Sequence, residues 1–74
     1  MYRNEEKEFM NKLVNNIVKF RYENKLTQEE FAEKIGYYRE HIAKVETGKR
    51  NLTLKYIMKI CLVFDVEINE LFFK

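Results

Sequence analysis

Residues 26–48 run Leu26-Thr27-Gln28-Glu29-Glu30-Phe31-Ala32-Glu33-Lys34-Ile35-Gly36-Tyr37-Tyr38-Arg39-Glu40-His41-Ile42-Ala43-Lys44-Val45-Glu46-Thr47-Gly48. Thr27 and Glu30 have the spacing of a capping box, and Leu26 and Phe31 flank them as a hydrophobic staple, so a helix starts here. Phe31, Ala32 and Ile35 then face inward. Gly36 stands where a helix ending in the left-handed conformation favours glycine, little more than two turns on. After Tyr37-Tyr38 another short helix runs from Arg39 to about Thr47 and is closed by Gly48. Tyr38 occupies the cap position of this helix without a side chain able to cap it, which forfeits up to about 1 kcal/mol.

Working outward, residues 4–23 read as one long helix, with Asn4 as its cap and Glu5 and Glu6 in the first turn where the helix dipole favours them. Phe9, Leu13, Ile17 and Phe20 form a helical stripe. Met10, Val14 and Val18 form a second one beside it, which buries the helix on two sides or offers a partner surface. Asn24-Lys25 breaks the pattern. Beyond Gly48, residues 49–52 make a loop and Thr53 caps a fourth helix to about Phe64, with Leu54, Ile57, Ile60, Cys61 and Phe64 as its inward stripe. Asp65-Val66-Glu67 turn the chain into a last short helix, Ile68 to Phe73.

The 74 residues are 46% apolar and 15% aromatic, enough for one small core, so residues 1–74 are expected to form one domain of packed helices. One cysteine, Cys61, and one histidine, His41, make neither an internal disulfide nor a metal cage, and no acid and base pair converges on a pocket. An enzyme, a metal site and a cofactor are therefore not expected. Cys61 reads as an inert core thiol. No apolar run reaches the roughly 18–20 residues of a membrane span, and the acidic N-terminus is unlike a signal peptide, so a cytoplasmic protein is expected. Net charge is only +2. Residues 39–59, however, carry six positive charges (Arg39, Lys44, Lys49, Arg50, Lys55, Lys59) against Glu40 and Glu46, a basic patch on a balanced chain.

Two short helices joined by a glycine-led turn of about three residues describe a helix-turn-helix, whose second helix enters the DNA major groove. Thr27-Gln28-Glu29 with Ala32, Gly36, Ile42, Glu46 and Gly48 resembles the phage-repressor and Cro type of helix-turn-helix, also called the xenobiotic-response-element family. The resemblance extends from about Leu13 to Phe72. It implies an all-α fold, a compact five-helix domain of the lambda-repressor kind with the helix-turn-helix at about residues 27–47. It also implies a transcriptional regulator or repressor that binds a palindromic operator in double-stranded DNA as a homodimer. By the same resemblance Gln28 binds a phosphate at its helix N-terminus, Lys49, Arg50 and Asn51 form a second phosphate clamp, and Arg21 and Glu46 make a structural ion pair. The run Arg50-Asn51-Leu52-Thr53-Leu54 resembles, more weakly, the controller proteins of restriction-modification systems.

At about 100° per residue, Arg39, Glu40, Ala43, Lys44 and Thr47 share one outward arc of the third helix, nearly opposite Ile42 and Val45. Small Ala43 and Thr47 allow close approach to base edges. Arg39 suits a bidentate bond to guanine, and Lys44 reaches the same atoms or a phosphate. Glu40 either accepts from a cytosine amino group or complements the helix dipole. Base contact is thus expected of Arg39, Glu40, Ala43 and Lys44, and phosphate contact of Tyr38, through its hydroxyl, and Thr47. His41 flanks this face and reads as a solvated or phosphate-adjacent ring. Met58, Leu62, Val63 and Phe73 remain as apolar surplus on the last two helices and mark the dimer seam. With no room for a sensing domain, no small-molecule ligand is expected. The competing reading is a protein-interaction module, of antitoxin or anti-repressor type, that keeps this fold but acts through a protein partner.

Overall fold

The capping signals at Thr27 and Thr53 become hydrogen bonds in the computed structural model, which describes residues 4–72. Five helices follow one another: α1 (Asn4–Glu23), α2 (Gln28–Ile35), α3 (Arg39–Glu46), α4 (Leu54–Phe64) and α5 (Ile68–Phe72). The fold is all-α, with no strand among the described residues. At the start of α2 the Thr27 hydroxyl accepts from the Glu30 N–H at 3.1 Å, and the Glu30 carboxylate accepts from the Thr27 N–H at 2.9 Å. That bond lowers the Glu30 pKa from its ordinary value. Gly36 closes α2 at φ 77° with its N–H on the Ala32 carbonyl. Thr53 caps α4 by accepting from the Tyr56 N–H at 3.2 Å.

Two further helix ends reach the left-handed conformation without glycine, at Lys25 (φ 57°) and Asp65 (φ 54°). Aspartate tolerates that region better than most residues. At Lys25 the neighbouring Asn24 compensates, its side-chain amide donating to the Phe20 carbonyl at 2.8 Å and satisfying one end group of α1. Asn4 belongs to α1 itself rather than preceding it as a cap.

Ile17, Phe31, Ile35, Ile42, Val45, Tyr56 and Ile60 are fully buried and fill the space between α1 to α4. Phe64 ties three helices together, its ring edge-on to Phe20 at 5.2 Å and stacked on Phe31 at 5.7 Å. Such aromatic pairs add about 0.5–1.5 kcal/mol each beyond the area they bury. Leu52 in the loop and Leu71 on α5 close the two ends of the core. The Asn16 side chain donates to the Phe72 carbonyl at 3.2 Å, which holds α5 on α1.

Two expectations about facing, at Phe9 and Leu54, are corrected. Phe9 is 62% exposed, because no residue of α1 before Val14 is buried. Of the two readings of the second stripe, burial holds: Met10, Val14 and Val18 pack into the chain's own core. On α4 the buried arc is centred on Tyr56 and Ile60, so Leu54, two residues before Tyr56 and about 200° around the helix, is 76% exposed.

Tyr56 enters the core at a cost, since its buried hydroxyl has no hydrogen-bond partner. Burial also raises the phenol's pKa far above its ordinary value. A lone buried hydroxyl costs about 1–3 kcal/mol. Tyr56→Phe is therefore expected to raise the thermal unfolding midpoint or leave it unchanged. A loss of more than about 1 kcal/mol would reveal a bond to that hydroxyl in solution.

Candidate nucleic-acid interface

The outward face of α3 is built by what its opposite face buries. Ile42 and Val45 are sealed in the core, which turns Arg39, Glu40, Lys44 and Thr47 to solvent with half-buried Ala43 between them. Tyr38, at the N-cap, is 85% exposed and makes no side-chain cap bond. The first N–H groups of α3 are thus left without a side-chain acceptor, on the surface that carries Arg39. Thr47 ends the row, its hydroxyl donating to the Ala43 carbonyl at 2.9 Å.

The loop after α3 folds back on the helix that precedes it. The backbone N–H groups of Lys49 and Arg50 both donate to the Lys44 carbonyl, at 2.8 and 3.1 Å, and Leu52 anchors the far end in the core. Gly48, at φ 77°, makes that reversal at no steric cost. Lys49, Arg50 and Asn51 are consequently exposed on a short, pinned segment next to Lys44.

Arg21 and Glu46 meet in a bidentate pair. Arg21 Nε donates to Glu46 Oε2 at 2.7 Å and Arg21 Nη2 to Oε1 at 3.0 Å, with side chains only 6% and 8% exposed. Arg21 Nη1 also donates to the Leu26 carbonyl at 2.8 Å, and its guanidinium lies 4.5 Å from the centre of the Tyr22 ring. The hydrogen bond to Glu46 raises the Arg21 pKa above its ordinary value against the opposing effect of burial. Gln28 Nε2 donates to the same carboxylate at 2.9 Å, so Glu46 joins the end of α1, the start of α2 and the end of α3.

His41 is not a solvated ring. It is half-buried and stacks on Tyr37 at 4.7 Å and 18°. Tyr56 lies on it at 5.6 Å, and Arg50 Nη1 is 2.8 Å from its Nδ1. Arginine only donates, so Nδ1 accepts and the ring is neutral with its proton on Nε2. Burial first, and then the Arg50 charge, lower the His41 pKa from its ordinary value. Sequence spacing carried no sign of this contact, because it joins a helix to the loop nine residues on.

Met58, Leu62 and Val63 are exposed apolar residues on α4, joined by Leu54 and, at the start of α5, by Ile68. Phe73 lies outside the described residues. Among the described residues no three His, Cys, Asp or Glu side chains come together to hold a metal ion. Burial and the Glu70 charge raise the pKa of the half-buried Cys61 thiol, which disfavours the reactive thiolate. No described helix is long and apolar enough to cross a membrane.

Compared with known proteins, residues 17–71 match the helix-turn-helix family profile. Two proteins of Archaeoglobus fulgidus, each named an uncharacterized HTH-type transcriptional regulator, are 43% and 45% identical to this chain over 56 residues. Those alignments cover 76% of this chain and 79% and 80% of the relatives. A protein of Methanocaldococcus jannaschii with the same designation is 38% identical over 58 residues, 78% of this chain and 88% of its own length.

Proposed function

The chain belongs to the helix-turn-helix family of phage-repressor and Cro type, and from that premise we propose that it binds a palindromic operator as a homodimer. It is a DNA-binding transcriptional regulator. In this reading residues 1–74 act as one DNA-binding unit and α3 is the recognition helix in the major groove. The observation that carries the reading is the exposed row Arg39, Glu40, Lys44 and Thr47 on a helix whose other face is sealed by Ile42 and Val45. Arg39 bonds guanine edges, Lys44 a base or a phosphate, and half-buried Ala43 lets the backbone come close. Glu40 accepts from a cytosine amino group. Gln28, Tyr38, Lys49, Arg50 and Asn51 bond phosphates on either side and set the register, and Thr47 joins them by turning its hydroxyl from the Ala43 carbonyl to a phosphate. Gln28 has two amide N–H groups and spends one on Glu46, which leaves the other for a phosphate.

Titrating a fluorescent random-sequence duplex against salt tests DNA binding itself. A steep negative slope of affinity with salt is expected, about one unit per phosphate contact. A flat slope would sink the reading in favour of a protein-interaction module. On the selected operator, Arg39→Ala is expected to cost about 1–3 kcal/mol and to relax preference at one base pair per half-site. Equal losses on operator and random DNA would make Arg39 a phosphate contact.

A further inference from the structure

Arg50 is an exposed loop residue with a long side chain, yet its guanidinium is held in one place. The group that holds it is His41, and His41 is itself fixed, stacked on Tyr37 from the turn and packed on Tyr56 from α4. A free arginine gives up to about 2 kcal/mol of rotamer entropy when it is immobilised on a ligand. An arginine already held by a rigid acceptor has lost part of that freedom in advance. The 2.8 Å bond occupies Nη1 alone, so the remaining donors of the fork stay available. Arg50, Lys44 and Tyr38, together with Glu40, line a cleft of about 330 Å³ beside the exposed row of α3. Its two cations outweigh the single Glu40 carboxylate, and that net positive charge suits a phosphate group.

We infer that His41 is a positioning residue, whose neutral imidazole aims the Arg50 guanidinium at a DNA backbone phosphate beside the recognition helix. This rests on the DNA-binding reading above, and it adds a role for the one histidine of the chain. An aromatic ring that only filled space would need no acceptor at Nδ1, and an arginine that only balanced charge would pair with a carboxylate.

A double-mutant cycle on affinity for a short random-sequence duplex tests it, with unfolding by circular dichroism followed in parallel. Arg50→Ala alone is expected to weaken binding about three- to tenfold and to flatten the salt slope by about one unit. His41→Phe keeps the stack and removes the acceptor. Its own loss is expected to approach that of Arg50→Ala, and adding Arg50→Ala to it is expected to cost little more. His41→Asn places an amide oxygen where Nδ1 sits and is expected to recover most of the affinity, which a purely structural role for the ring would not predict. If Arg50→Ala costs the same in both backgrounds, or His41→Asn binds no better than His41→Phe, the positioning role is wrong while DNA binding stands. If Arg50→Ala changes nothing although the wild-type slope is steep, Arg50 is off the DNA and the inference falls. A flat wild-type slope removes the DNA-binding reading itself.

Discussion

Glu46→Ala is expected to destabilise the protein by about 3–5 kcal/mol, the range for removing one partner of a buried ion pair. The substitution strips the carboxylate that accepts from Arg21 Nε, Arg21 Nη2 and Gln28 Nε2. It leaves a guanidinium that is almost fully enclosed, with the Leu26 carbonyl and the Tyr22 ring as its partners. Domains of this size have about 5–15 kcal/mol in total, and each kcal/mol shifts the unfolding midpoint by about 4–8 °C. The variant should therefore melt some tens of degrees lower, or be unfolded at room temperature. Replacing both partners by apolar residues, Arg21→Met with Glu46→Leu, is expected to restore much of the loss, because no uncompensated charge is left behind. DNA affinity should stay reduced in that double variant, since Gln28 loses its tether at the start of α2. A loss below about 1 kcal/mol for Glu46→Ala would mean that the pair behaves as an exposed one in solution.

The local signals for this fold were strong where chemistry and spacing act within one turn. The capping box at Thr27 and Glu30, the glycines that end α2 and follow α3, and the Ile42 and Val45 face of α3 all depend on residues within four positions of each other, and each appears as read. Facing on α4 was misread for a physical reason. The apolar stripe through Leu54, Ile57, Ile60, Cys61 and Phe64 leaves out Tyr56, which is fully buried with an unpartnered hydroxyl. Phe9 was misplaced because periodicity marks a face but not where along a helix the core stops. Leu52 and Leu71, which close the core, sit in a loop and in a five-residue helix, too short for a period to show. The His41 and Arg50 contact was invisible because neither residue type implies the other. Only the folded-back loop, tied to the Lys44 carbonyl, brings them together.

Leu62→Glu is expected to give a folded monomer with strongly reduced operator affinity. Leu62 is 71% exposed, so a carboxylate there meets solvent in the monomer and should change its stability by no more than about 0.5 kcal/mol. In a dimer the same carboxylate would be buried against apolar surface, which costs several kcal/mol unless it finds a partner. Leu54, Met58 and Leu62 follow one another at intervals of four on the solvent side of α4, with Val63 and Ile68 beside them. The displacement of Leu54 from the expected core thus lengthens the candidate seam at its start. Burying about 400 Å² of apolar surface contributes roughly 10 kcal/mol gross at 25 cal/mol per Å², against a similar loss of translational and rotational freedom. A dimer held by this seam is expected to be dissociable, and operator binding has to be measured at protein concentrations where it is formed. A two-fold pair presents two α3 helices to half-sites about one helical turn, near 34 Å, apart, and a monomer engages one of them. Sedimentation of the variant should therefore report a monomer with wild-type helicity, and affinity for a single half-site should be retained while affinity for the full operator falls by orders of magnitude. If Leu62→Glu still sediments as a dimer, the α4 row is not the seam. Phe9, an exposed apolar residue near the start of α1 beside Glu5 and Glu6, becomes the surface to substitute next.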